Sequence, residues 1–277
     1  MQKWNADLLE LNAGLWEAAM NTTDNFSAEI RPKDAVDRQQ EHMVDSFQAG
    51  MGSSTQRVAQ TLDYLKNRGY VGRDMTVLDI GSGTGTYTIP FSRHYRQVTS
   101  LDISPAMQEE IRRQAACQGI ENIRYLNCNW RDVDPEAAGL AEQFDLVFCS
   151  LNPRGVCSRE TLEKMNRASR GGCCLAAFAG RSQSNHGGQV QKLVLGRSLG
   201  TTGGNNIIFP FNVAYHLGGE PDLNYATLAW ERRQKPEEAI QGICQSYWRF
   251  VDITPEIRER VEHRIGIMVW DAWRTKK

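Results

Sequence analysis

The chain has 277 residues, 40% hydrophobic and 23% charged, which is the make-up of a globular protein with one main core and some additions. With 32 basic against 33 acidic residues and a formal net charge of −1, no global field draws nucleic acid or anionic lipid to its surface, so nucleic acid is not an expected partner. No run approaches the roughly 18 apolar residues of a membrane span, and the seven cysteines form no CxxC pair, so a cytoplasmic protein without metal or disulfide framework is expected.

In chain order, residues 1–70 read as a helical N-terminal cap. It has helices over about 2–20 and 33–68, the second interrupted near Gly50 and Gly52. The opening MQKWNADLLELNAGLW is amphipathic and lacks the basic head of a signal peptide. Residues 71–185 alternate strand and helix. MTVLDI is a strand, TYTIPFSRHY begins a helix, QVTSLDIS is a second strand, and SPAMQEEIRRQAACQG is a helix with Ser104 as N-cap and Gly119 just past its end. NIRYLNCN, FDLVFCS and GGCCLAAFAG read as three more strands. Such alternation requires crossover connections, hence a doubly wound, mostly parallel α/β sheet. Residues 186–277 open with a glycine-rich insertion to Gly219, read as a loop with one helix over QVQKLVLGRSL. A strand at LNYATLAWERR, two helices and a final strand at IMVWDAWR follow.

The stretch with the clearest chemistry is VLDIGSGTGTYTIPF, Val77 to Phe91. A glycine turn between strand and helix lets the backbone lie against a ligand. Dinucleotide folds use G-x-G-x-x-G around a pyrophosphate; here Gly81, Gly83 and Gly85 alternate and Thr86 replaces the last glycine. Asp79, two residues before the loop, repels a phosphate and attracts an ammonium group. Asp102, ending the second strand, is placed to accept hydrogen bonds from a ribose diol. Together these imply a nucleoside bearing an amino acid.

VLDIGSGTGTYTIPF followed by VTSLDIS resembles the first two motifs of class I S-adenosylmethionine-dependent methyltransferases over residues 75 to 180. The resemblance implies a seven-stranded sheet with an antiparallel last strand, and S-adenosyl-L-methionine as cofactor with S-adenosyl-L-homocysteine as product. It implies that Asp79 and the loop Gly81, Ser82, Gly83, Thr84 and Gly85 hold the methionine portion, and that Asp102 holds the ribose. Ile103 and Met107 would flank the adenine, with Asn129 and Trp130 near its amino group, although Trp130 can equally be core. Cys149 and Ser150 would line the site near the sulfonium.

Methyl transfer from an activated donor needs mainly positioning and exclusion of water, and a base only when the acceptor must lose a proton. His42, His186 and His216, with Tyr215 beside the last, are candidate bases or ordinary surface groups. SLNPRG partly resembles the NPPY motif of amino-methylating members, without its aromatic. Asn152, with Trp16, Phe211 and Tyr215, is a candidate substrate contact. The sequence is therefore read as a monomeric or homodimeric methyltransferase acting on a small molecule. A protein or RNA methyltransferase, a cofactor-binding protein without turnover and a nicotinamide-dependent reductase are the alternatives.

Overall fold

The computed structural model describes residues 14–15, 18, 51–152, 158–177 and 207–225, all within one compact unit. Five strands form a single sheet: β1 (Thr76–Ile80), β2 (Gln97–Asp102), β3 (Ile123–Asn127), β4 (Phe144–Ser150) and β5 (Ser169–Ala176). Their order is β3-β2-β1-β4-β5 and every pairing is parallel, so the chain starts in the middle and winds outward both ways. The helices between them are α1 (Met51–Asn67), α2 (Thr88–Ser92), α3 (Pro105–Cys117), α4 (Arg159–Ala168) and α5 (Ile208–His216).

Strand β1 is buried at all five positions, as expected for a central strand with both faces covered. Its alternation divides the core. Leu78 and Ile80 point to a layer with Val147, Cys149, Leu162 and Met165 under α4, which Val213 of α5 joins. Val77 points to the other face, with Leu146, Phe148, Tyr87, Phe91 and Tyr95 under Val58 and Leu65 of α1. On that face Phe91 meets Phe148 edge to face at 5.0 Å, a geometry the ring quadrupoles favour.

The doubly wound parallel sheet and the Ser104 cap agree with the sequence reading: Ser104 accepts a hydrogen bond from the Met107 backbone N–H, with proline following it in the first turn. Helix α1 runs through Gly52, Ser53 and Ser54, while Gly50 and the helix expected before it lie outside the described residues. A single glycine costs a helix only about 1 kcal/mol, and burial of Val58 and Leu65 on the sheet outweighs it. Helix α5, IFPFNVAYH, falls inside the segment read as glycine-rich loop. Its two buried residues, Pro210 and Val213, are too few to announce it by periodicity. The sixth and seventh strands, the helix over QVQKLVLGRSL and the final two helices lie outside the described residues.

Candidate functional site

The loop after β1 is shaped by three glycines in the left-handed region, with φ of +70° at Gly81, +54° at Gly83 and +87° at Gly85, a conformation that side chains with a Cβ rarely adopt. Each glycine has its own second reason. A Cβ at Gly81 would collide with the Asn152 amide, a Cβ at Gly85 would stand 3.0 Å from Ile111 Cγ1 of α3, and a Cβ at Gly83 would meet nothing. The first glycine therefore admits Asn152, the third admits helix α3, and the second leaves the loop's outer side open. Backbone N–H groups of Gly81 and Ser82 donate to the Leu101 carbonyl at 2.7 and 3.2 Å, anchoring the turn to the end of β2.

Two carboxylates bracket this loop. Asp79 is only 2% exposed, and its Oδ2 accepts a 2.6 Å hydrogen bond from the Thr88 hydroxyl at the start of α2. Burial pushes its carboxyl up to about 7, opposed by the Thr88 hydrogen bond and reinforced by the nearby charge of Asp102. Asp102 accepts from the Gly83 N–H at 2.9 Å through Oδ2 and from the Ser104 N–H at 2.8 Å through Oδ1. Burial raises its carboxyl as well, while these backbone donors pull it back down. Each oxygen of a carboxylate has two lone pairs, so Asp102 can hold the loop and still accept from a ligand diol.

Behind the loop lies a buried polar chain that the sequence reading missed. The Ser82 and Ser100 hydroxyls are 2.7 Å apart, and Ser100 donates to Gln108 Oε1 at 3.3 Å. Gln108 is fully buried and sends its Nε2 to the Ser100 and Leu126 carbonyls. Gln114 donates to the Thr84 carbonyl at 3.0 Å. The available signal was a polar residue, Gln108, on the same helical stripe as Ile111 and Ala115.

The remaining expected residues separate by position. Ile103 is 58% exposed beside the loop while Met107 is 5% exposed beneath it, so Ile103 presents the free apolar surface. Asn129 caps a turn at Trp130–Asp132, accepting from the Arg131 N–H at 3.2 Å and donating to Asp132 at 3.0 Å. Trp130 is packed in the core, its indole N–H donating to the Thr161 carbonyl at 3.3 Å. Cys149 points into the α4-side core, and burial pushes its thiol well up, so it is no nucleophile at neutral pH. Ser150, one residue on, takes the opposite face, that of Asp79. Leu151 follows with φ of +49°, a strained value for a branched residue, and Asn152 then reaches back against Gly81. Phe211, Tyr215 and His216 sit on α5, whose Val213 joins the opposite core layer. Trp16, His42 and His186 lie outside the described residues. Among the described residues no cluster of His, Cys, Asp or Glu is arranged to hold a metal ion, and no helix is long and apolar enough to cross a membrane.

A parallel doubly wound sheet with a glycine loop, a buried acid before it and a second acid ending the next strand is the arrangement of nucleotide-binding domains, whose ligands lie at the carboxyl ends of the central strands. The family described as a methyltransferase domain matches residues 77–172. Residues 77–172, about a third of the chain, are thus similar to a methyltransferase domain. Among curated relatives, the 23S rRNA (uracil(1939)-C(5))-methyltransferase RlmD of Aeromonas hydrophila is 30% identical over 128 residues, 45% of this chain and 27% of the relative. The protein of the same name from Stenotrophomonas maltophilia is 24% identical over 122 residues, 44% of this chain and 26% of its own. The chain thus spans about a quarter of the length of the curated relatives it matches. A solved S-adenosylmethionine-dependent methyltransferase from Aquifex aeolicus overlaps 44% of this chain and 66% of its own at 18% identity and a TM-score of 0.38.

Proposed function

We propose that this chain transfers a methyl group from S-adenosylmethionine to a small-molecule acceptor by in-line displacement. The observation that carries the reading is the bracketing of the open glycine loop by Asp79 and Asp102, a buried acid for an ammonium and a second acid, tied to the loop backbone, for a ribose diol. The bound cofactor supplies an activated methyl group; the protein supplies position. Asp79 holds the ammonium, the backbone of Gly81 to Gly85 lies along the chain next to it, and Asp102 fixes the sugar. The exposed face of Ile103 and the edge of Met107 support the adenine, with the Asn129 amide, at the cap of the turn after β3, as the partner of its amino group. Asn152, held over Gly81 by the strained Leu151, lines the acceptor side. With Cys149 buried and protonated, a positioned acceptor is left to react without covalent catalysis by this thiol. Trp16, Phe211 and Tyr215 remain candidates for the acceptor pocket, and His42, His186, His216 and Tyr215 candidates for a base where the acceptor needs one.

The near-balanced charge of the chain favours a small acceptor over a polyanion. One observation favours the other reading: the two curated relatives are named as rRNA methyltransferases. The first test is calorimetric titration with S-adenosylhomocysteine, with NADH as the parallel control. One-site binding of the first alone is expected, and binding of NADH alone would replace the proposal with a reductase. Incubation with radiolabelled methyl donor and either total RNA or a low-molecular-mass extract then separates the acceptors, and label entering RNA would overturn the small-molecule assignment.

A further inference from the structure

Among the described residues, two buried side-chain polar atoms have no hydrogen-bond partner: Arg57 Nε and Ser150 Oγ. Folded proteins keep few such atoms, because an unmatched buried donor forfeits its hydration with nothing in return. Their positions give them a common cause. Leu146 and Phe148 of β4 face α1, and strand alternation turns Ser150 to the same side. Asp79 lies opposite Phe148 and Ile80 opposite Cys149 in the parallel register, which puts Ser150 next in line, alongside Gly81. The Phe148 ring is 4.6 Å from that of Tyr87, and the Arg57 guanidinium lies over the other ring at 5.9 Å from its centroid. Thr61 fixes this end of α1, donating to the Arg57 carbonyl at 2.9 Å and lying 3.3 Å from the Tyr87 hydroxyl.

Arg68, Arg112, Arg113, Arg159, Arg167 and Arg170 each have a carboxylate partner, and Arg73, Arg93, Arg96 and Arg124 are exposed to water. Arg57 has neither outlet at Nε, which is buried, and its guanidinium lies over the Tyr87 ring. A planar guanidinium and a hydroxyl donor on the same sheet face match a carboxylate, which accepts from several directions at once. Asp79, an acid, stands on the same sheet face. An α-amino acid presents the complementary pair, an ammonium and a carboxylate on one carbon.

We propose that Arg57 and Ser150 form a carboxylate-binding subsite on the α1-covered face of the sheet, beside the glycine loop. The carboxylate has two possible sources, the amino-acid end of S-adenosylmethionine or an acidic acceptor; the first rests on the methyltransferase reading above. The subsite explains why Arg57 is stacked on an aromatic ring and not paired with an acid: an internal carboxylate would occupy the fork meant for the ligand.

The test measures calorimetric affinity for S-adenosylhomocysteine and for 5′-methylthioadenosine, which shares the adenosine and sulfur but lacks the amino acid. Parent, Arg57→Met, Arg57→Lys and Ser150→Ala are compared. If the cofactor supplies the carboxylate, Arg57→Met weakens S-adenosylhomocysteine by about tenfold or more and methylthioadenosine by less than about twofold. Arg57→Lys recovers part of the loss, and Ser150→Ala shows a smaller loss confined to the amino-acid ligand. If the acceptor supplies it, Arg57→Met leaves both unchanged, and titration of the S-adenosylhomocysteine-saturated parent with benzoate gives saturable binding that the variant loses. Equal weakening of both nucleosides, or no effect on them together with no benzoate binding, overturns the proposal. Should the parent bind no S-adenosylhomocysteine, the methyltransferase reading fails, and the benzoate titration of the unliganded protein alone decides the subsite.

Discussion

Replacing Asp79 by Asn keeps the shape of the side chain and an oxygen for the Thr88 hydroxyl, while removing the ability to ionise. In the fold the Asp79 carboxyl sits at about 7 against an ordinary 3.8. Between those values the folded chain therefore holds a proton that the unfolded chain has released. This group's contribution to stability is intact below about pH 4 and declines as pH rises, levelling off above about pH 7. At about 1.4 kcal/mol per pH unit, about 3 kcal/mol of the penalty develops between pH 5 and pH 8. Asn pays none of it. Relative to the parent, Asp79→Asn should therefore gain about 3 kcal/mol over that interval, equivalent to about 6 to 12 °C in Tm for a protein of this size. Urea or thermal unfolding of both proteins at the two pH values measures the difference. The same variant should bind S-adenosylhomocysteine at least about tenfold more weakly, because an amide offers no charge to an ammonium. Parallel pH dependence of parent and variant would refute the reasoning, since it would mean that the buried carboxyl does not titrate in this range.

Affinity of the parent for S-adenosylhomocysteine should be constant above about pH 7 and fall by up to about tenfold per pH unit below it, as Asp79 takes up its proton; calorimetry between pH 5.5 and 8 tests the slope. Asp102→Ala should weaken the same ligand by about tenfold or more while leaving the far-ultraviolet circular dichroism unchanged, since the rest of the sheet does not depend on it. Gly85→Ala should destabilise the fold by about 1–3 kcal/mol in urea unfolding, because a Cβ meets both an unfavourable φ and the Ile111 side chain. Gln108→Leu should cost about 1–3 kcal/mol by removing the amide's hydrogen bonds to the Ser100 hydroxyl and to the Ser100 and Leu126 carbonyls, and an unchanged unfolding midpoint would show that the polar chain behind the loop is dispensable.

The elements that recur in sequence as simple patterns were legible without coordinates. Continuous apolar runs such as TVLDI and FDLVFCS, too short for helices and rich in β-branched and aromatic residues, read as strands buried on both faces, and their alternation with helices implies a parallel sheet. The glycine turn and the acids at positions 79 and 102 that flank it were legible for the same reason, because backbone conformation and charge are properties of individual residues. What the tertiary structure decided depends on which residues meet. Gln108 reads as an ordinary helix residue until the fold brings it under Ser100 and Leu126, twenty-odd residues apart in sequence. Trp130 read equally as site or core, and its indole bond to the Thr161 carbonyl sets it in the core; Cys149, expected near the sulfonium, is buried in the same core layer. Arg57 had no motif around it. Its significance arises only because α1 lays it over Tyr87, on the face shared by Asp79 and Ser150, and a long-range contact of that kind leaves no periodic trace in the chain.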